Sequence, residues 1–164
     1  MYRKELPFGL LPTKQDRLDD LKSKIRAEKI FKRDADLAGQ ASDLTSQAAE
    51  AIQAGFEALG KKNFSTAIEK FTESLTAYQA SNKLMGQEAS AGTGSVYYHR
   101  AQTYLQAGRP KEALADFTRA LSAPPLMGEN VPILELSDSM RHSAQEQVAT
   151  LRASLANGSK PSGP

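Results

Sequence analysis

A chain of 164 residues, 40% hydrophobic and 24% charged, is long enough to bury a real core as one domain. Its net charge of +2 is too small to point to nucleic acid through bulk electrostatics. The absence of cysteine excludes disulfides, thiolate metal sites and cysteine nucleophiles, and the two histidines, His99 and His142, are too few for an imidazole cluster.

No stretch approaches the roughly 18–20 apolar residues that cross a bilayer. The segment from Pro7 to Pro12 is shorter than the apolar core of about 7–15 residues of a secretory signal. The expectation is a soluble chain whose compartment the sequence leaves open, the cytoplasm and an organellar stroma or matrix fitting equally.

Residues 1–12 read as an extended lead-in, because Pro7 and Pro12 push the residues before them away from helical dihedrals. Thr13 offers a helix N-cap with Asp16 in the first turn. From there to Leu37 the chain is dense in charge, with Leu18, Leu21 and Ile25 at helical spacing and Ile30 and Phe31 out of register. So narrow a stripe buries little area. The segment is a charged helical arm that either rests on the domain or lies along a partner, its mixed charges setting the register.

Gly39 is expected to loosen the chain. Residues 41–59 are alanine-rich, as suits helices in close approach, and Gly60 to Asn63 is a short helix-to-helix turn. A second helix starts near Ser65 and carries Ala67, Ile68, Phe71, Leu75 and Tyr78. Residues 86–95, small and glycine-rich, read as a flexible loop. A helix from Val96 places Tyr97, Ala101 and Tyr104 on one stripe, and Gly108-Arg109-Pro110 ends it. Pro110 then suits the first turn of a helix that runs through Ala113, Phe117 and Leu121 to Pro124-Pro125. A last helix is expected from near Pro132, with Ile133, Leu136, Met140, Ala144, Val148, Leu151 and Leu155 on its apolar stripe and Asn157-Gly158 as its stop. The residues after it, 159–164, are a polar tail.

Two stretches repeat one pattern. Gly55 and Ala101 are each followed twelve positions later by alanine (Ala67, Ala113), then by phenylalanine (Phe71, Phe117), then by a small residue and leucine (Ser74-Leu75, Ala120-Leu121). The small positions let antiparallel helices pack closely while the aromatic ring fills the space beside them. This pattern resembles the tetratricopeptide repeat, a helix–turn–helix unit of roughly 34 residues. The second unit is the better match, with Tyr97, Ala101, Tyr104, Gly108, Ala113, Phe117, Ala120 and the proline pair. In the first, Ala51 and Ala58 stand where bulky residues are usual. The alanines Ala67 and Ala113 are 46 apart, so the surplus over one repeat implies a longer helix before the loop.

The resemblance implies an all-α fold of antiparallel helix pairs. Residues 1–45 would be lead-in and arm, 46–125 two repeats, 126–156 a capping helix and 157–164 the tail. The helix of 133–156 and the segment of 16–45 would seal the two ends of the core. The resemblance also implies a partner groove on the concave face, lined by Gln53, Phe56 and Leu59 from one unit and Tyr98, His99, Arg100, Gln102 and Gln106 from the other. The competing expectation is that Phe56, Leu59 and Tyr98 are core residues. Charge reversal at Arg100 or a bulky residue at Gln102 should weaken binding without lowering the melting temperature.

Some members of the family clamp the acidic tails of chaperones, which takes fixed cationic and amide donors. Here Ile52, Phe56 and His99 occupy those places, which argues against that activity. Serines are plentiful, but no strand–turn–helix elbow presents one for nucleophilic catalysis. Gly92 and Gly94 open no phosphate loop, and the acids are scattered without calcium-loop spacing. The expectation is a non-enzymatic scaffold, adaptor or assembly factor with no cofactor, no metal and no nucleic acid, its partners proteins held by the groove and the arm. The alternative is a permanently bound accessory or linker subunit of a large complex, organellar or in a photosynthetic membrane.

Overall fold

The structure, a computed structural model, describes residues 14–125 and 136–158. It contains five helices: α1 (Lys14–Gly60), α2 (Phe64–Leu84), α3 (Gly94–Gln106), α4 (Pro110–Ser122) and α5 (Asp138–Gly158). No strand occurs among the described residues. The expected lead-in, the Thr13 cap, the start near Pro132 with Ile133, and the tail from 159 lie outside the described residues. By contacts the chain divides into two units, residues 1–37 and 38–164.

In the first unit, residues 14–37 are continuous helix, and Leu18, Leu21, Ile25, Ile30 and Phe31 are all exposed. Acid–base pairs three or four apart, Asp19 with Lys22 and Asp20 with Lys24, run along its surface. Of the segment of 16–45 expected to seal the core, the fully buried positions begin at Ala41, in the second unit. The break expected at Gly39 is also absent, because α1 runs through it without interruption. A helix-interior glycine costs only about 1 kcal/mol against alanine, too little to stop a helix that is hydrogen-bonded on both sides.

In the second unit, residues 41–60 of α1 and the whole of α2 form an antiparallel hairpin around Ala48, Ala58, Ala67, Phe71, Leu75 and Tyr78. Gly55 allows the two helices a close approach. A Cβ there would stand 2.9 Å from the Phe71 ring, which is itself fully buried. The turn between them carries Lys62 at φ 57°, and Asn63 caps α2 by accepting from the Thr66 N–H at 3.2 Å. At the far end, the Ser81 hydroxyl donates to the Ala41 carbonyl at 2.9 Å. Running to Leu84, α2 is the longer helix that the surplus between Ala67 and Ala113 required.

The loop expected to be flexible is pinned instead. Asn82, itself buried, donates from Nδ2 to the carbonyls of Ala89 and Ala91 at 3.2 and 2.8 Å, and the Gly92 N–H reaches the Pro124 carbonyl at 2.8 Å. Small residues serve here for packing: Ala91 and Thr93 are buried, and α3 starts at Gly94 rather than Val96. A Cβ on Gly94 would press to 3.2 Å from both the Ala120 carbonyl and Leu136.

Helices α3 and α4 form the second hairpin, Pro110 opening α4 as expected. Ala101, Ala113 and Phe117 pack with Ala144, Val148 and Leu151 of α5, so α5 covers the outer face of this hairpin. Leu136 is buried but precedes α5, whose start is marked by Ser137 accepting from the Met140 N–H at 3.3 Å. Each fully buried phenylalanine, Phe71 and Phe117, contributes on the order of 2–3 kcal/mol of hydrophobic stabilisation.

Candidate protein-binding groove

The first helix of each hairpin presents aromatic side chains to the same place. From α1, Phe56 stands edge-on to the His99 ring of α3 at 4.8 Å between centroids and to Phe71 at 5.3 Å. His99 meets Tyr98 at 5.6 Å, and Tyr98 meets Phe117 at 5.6 Å. Such edge-to-face pairs add about 0.5–1.5 kcal/mol each beyond area burial. The cluster is rooted in the core through Phe71 and Phe117, yet Phe56 keeps 42% of its surface exposed. It is an apolar surface built of contacting rings, with polar side chains beside it.

The polar groups beside it are anchored. The Tyr98 hydroxyl donates to Ser143 Oγ at 3.1 Å and accepts from Gln102 Nε2 at 3.2 Å, so α5 helps to fix the Tyr98 ring. Burial pushes the His99 pKa below its ordinary value, which leaves the imidazole neutral at physiological pH. The structure thus brings Phe56, Tyr98, His99 and Gln102 together. Gln53 is exposed and reaches Glu57 at 3.4 Å, and Gln106 is exposed at the end of α3. Leu59 is half-buried against the core cluster, part-way to the competing expectation for it.

Arg100 requires a correction. Expected on the groove, it is only 9% exposed. Its Nε and Nη2 grip the two carboxylate oxygens of Asp116 on α4 at 2.6 and 2.9 Å, and Nη1 donates to Thr72 Oγ1 of α2 at 2.9 Å. The guanidinium also lies 5.5 Å from the Tyr97 ring and 5.9 Å from that of Tyr104. Burial alone would lower its pKa, but the hydrogen bond and charge of Asp116, with smaller help from Tyr104 and Tyr97, outweigh that and raise it. Asp116 is 1% exposed and takes a further bond from Arg119 at 2.9 Å. Charge reversal at Arg100 would therefore strand a buried carboxylate, and a fall in melting temperature replaces the expected selective loss of binding.

Sequence reasoning passed over Asp116. Its signal was present: it directly precedes Phe117, whose place in the repeat pattern is fully buried, and Arg100 directly precedes buried Ala101 on the facing helix.

A concavity of about 550 Å³ lies on α1 and α2 and is lined by Leu44, Gln47, Glu69, Thr72, Thr76 and Ala80 among others. It contains none of the expected groove residues. Its threonine hydroxyls, at Thr72 and Thr76, are turned back to their own backbone.

The tetratricopeptide repeat family model matches residues 94–123, the hairpin of α3 and α4 with its flanking residues. The chain thus carries a tetratricopeptide repeat within an all-α, tetratricopeptide-like fold. Neither a search of curated proteins nor a search of solved structures finds a match. The repeat points to a role in protein–protein interaction, and modules of this family are typically non-enzymatic. No described helix is long and apolar enough to cross a membrane.

Proposed function

We propose that the protein is an adaptor or assembly factor that holds a polypeptide partner against the Phe56–His99–Tyr98 surface. The observation that carries this is the exposure of Phe56 over a cluster whose lower members are fully buried. An aromatic ring fixed by its neighbours loses little side-chain entropy on binding, which is what interface anchors reward. Gln102 and Gln106 supply amide donors and acceptors beside it, suited to a peptide backbone. No charged clamp stands at this surface, since Arg100 is committed to Asp116; the partner is recognised by apolar and amide contacts.

The test is paired purification of the wild-type chain and the Gln102→Trp variant from the native cell under gentle conditions. Gln102 is partly exposed, so the bulky ring should displace the partner at unchanged melting temperature. An identical set of co-purifying proteins from both chains would remove the groove from the mechanism.

One further feature favours a second surface. Residues 14–37 form a helix with exposed Leu18, Leu21 and Ile25, and such an arm gains its apolar contacts only from a partner. We read it as the attachment point of an accessory subunit.

A further inference from the structure

In the arm, Leu18, Leu21 and Ile25 stand at heptad spacing. With Leu18 at position a, Leu21 falls at d and Ile25 at the next a, and these three side chains are 45, 55 and 45% exposed. The positions that flank such a seam are then Arg17 and Lys24 at g, and Lys22 and Lys29 at e. All are cations. The acids of the same stretch, Asp16, Asp19 and Asp20, fall at f, b and c, on the side turned away from the seam. The apolar seam closes at Glu28, the following d position.

This arrangement selects among occupants. In a parallel pair of two copies of this arm, g faces the following e, setting Arg17 against Lys22 and Lys24 against Lys29. In an antiparallel pair, g faces g and e faces e. Every flank contact in a second copy is cation against cation, which opposes self-association. An interfacial helix on a lipid surface needs a broad apolar face. Here Ile30 and Phe31 point to positions f and g, outside a seam only one residue wide. The ion pairs of Lys22 with Asp19 at 3.6 Å and Lys24 with Asp20 at 2.8 Å are more than half exposed on every side chain. Pairs of that kind hold their partners weakly, so the cations are available to an incoming carboxylate.

We propose that residues 17–29 form one strand of a heterotypic two-helix coiled coil whose other strand is a protein helix with apolar a and d positions and glutamate or aspartate at e and g. The proposal rests on the arm being an attachment surface, and it is independent of the Phe56 groove.

The test uses the full chain and two labelled four-heptad peptides, alike in leucine at a and d, one with glutamate and one with lysine at every e and g. Fluorescence anisotropy should show the glutamate peptide bound at least about tenfold more tightly than the lysine peptide, the difference shrinking with added salt. The variant Arg17→Glu/Lys22→Glu/Lys24→Glu/Lys29→Glu, checked for unchanged helicity, should reverse that preference. Leu18→Ser/Leu21→Ser should abolish binding of both peptides. Gln102→Trp should leave it untouched, which separates failure of the arm from failure of the groove. Four results would each overturn the proposal. They are equal or absent affinity for both peptides, loss of binding in Gln102→Trp, a dimer of the chain alone in sedimentation, and attachment to phosphatidylserine vesicles without attachment to the glutamate peptide.

Discussion

At Asp116, one carboxylate serves two arginines and leaves almost no surface to solvent. Removing one partner of a buried pair leaves the other charged and desolvated, which typically costs about 3–5 kcal/mol. Asp116→Ala should therefore lower the unfolding free energy by about 3 kcal/mol in urea titration, discounted toward the low end because Arg100 retains some solvent access. Replacing both members with apolar residues of similar volume should recover most of the loss. His99 makes a different kind of prediction. Its folded-state pKa lies below the ordinary value, so the folded chain binds fewer protons than the unfolded one once pH drops below about 6.5. Stability should be full above that pH and decline as pH falls through the window down to the folded pKa, then level off. In His99→Gln that part of the decline should be missing, as measured by urea midpoints at pH 7.5 and 5.5.

The hairpins were legible in the sequence, and the reason is steric. A small residue facing an aromatic ring of the next helix, as at Gly55 with Phe71 or Ala101 with Phe117, repeats at fixed offsets because helix contact geometry repeats. Three features were illegible for reasons equally physical. Gly39 reads as a breaker by propensity, but the helix on either side of it outweighs one residue's preference. Residues 86–95 read as flexible by composition, whereas small side chains there allow burial beneath Pro124 and Leu136. Arg100 reads as a groove cation because burial of a charge depends on an acid one helix further on. Of the residues that the resemblance assigned to a groove, Phe56, Tyr98, His99 and Gln102 lie side by side in the structure. Because a Cβ at Gly39 meets no atom within 4 Å, Gly39→Ala should raise the stability of the already continuous α1 by about 0.5–1 kcal/mol. Circular dichroism with thermal melts would detect it.

Across the whole molecule, the division at residues 37 and 38 separates a polar helix from the only part with a continuous core among the described residues. A fragment of residues 38–164 should fold on its own, with a melting temperature close to that of the full chain, while losing any partner held through the arm. Fragment melting and co-purification together check both halves of that statement.

Stacked repeats ordinarily fray one unit at a time, since each touches only its neighbours. Arg100 changes that here. Fastened to Thr72 on one side and Asp116 on the other, it acts as a bolt through three helices. Parting α2 from α3 strips Arg100 of its Thr72 partner, and parting α3 from α4 breaks its pair with buried Asp116, so heat should take the two hairpins apart in a single step.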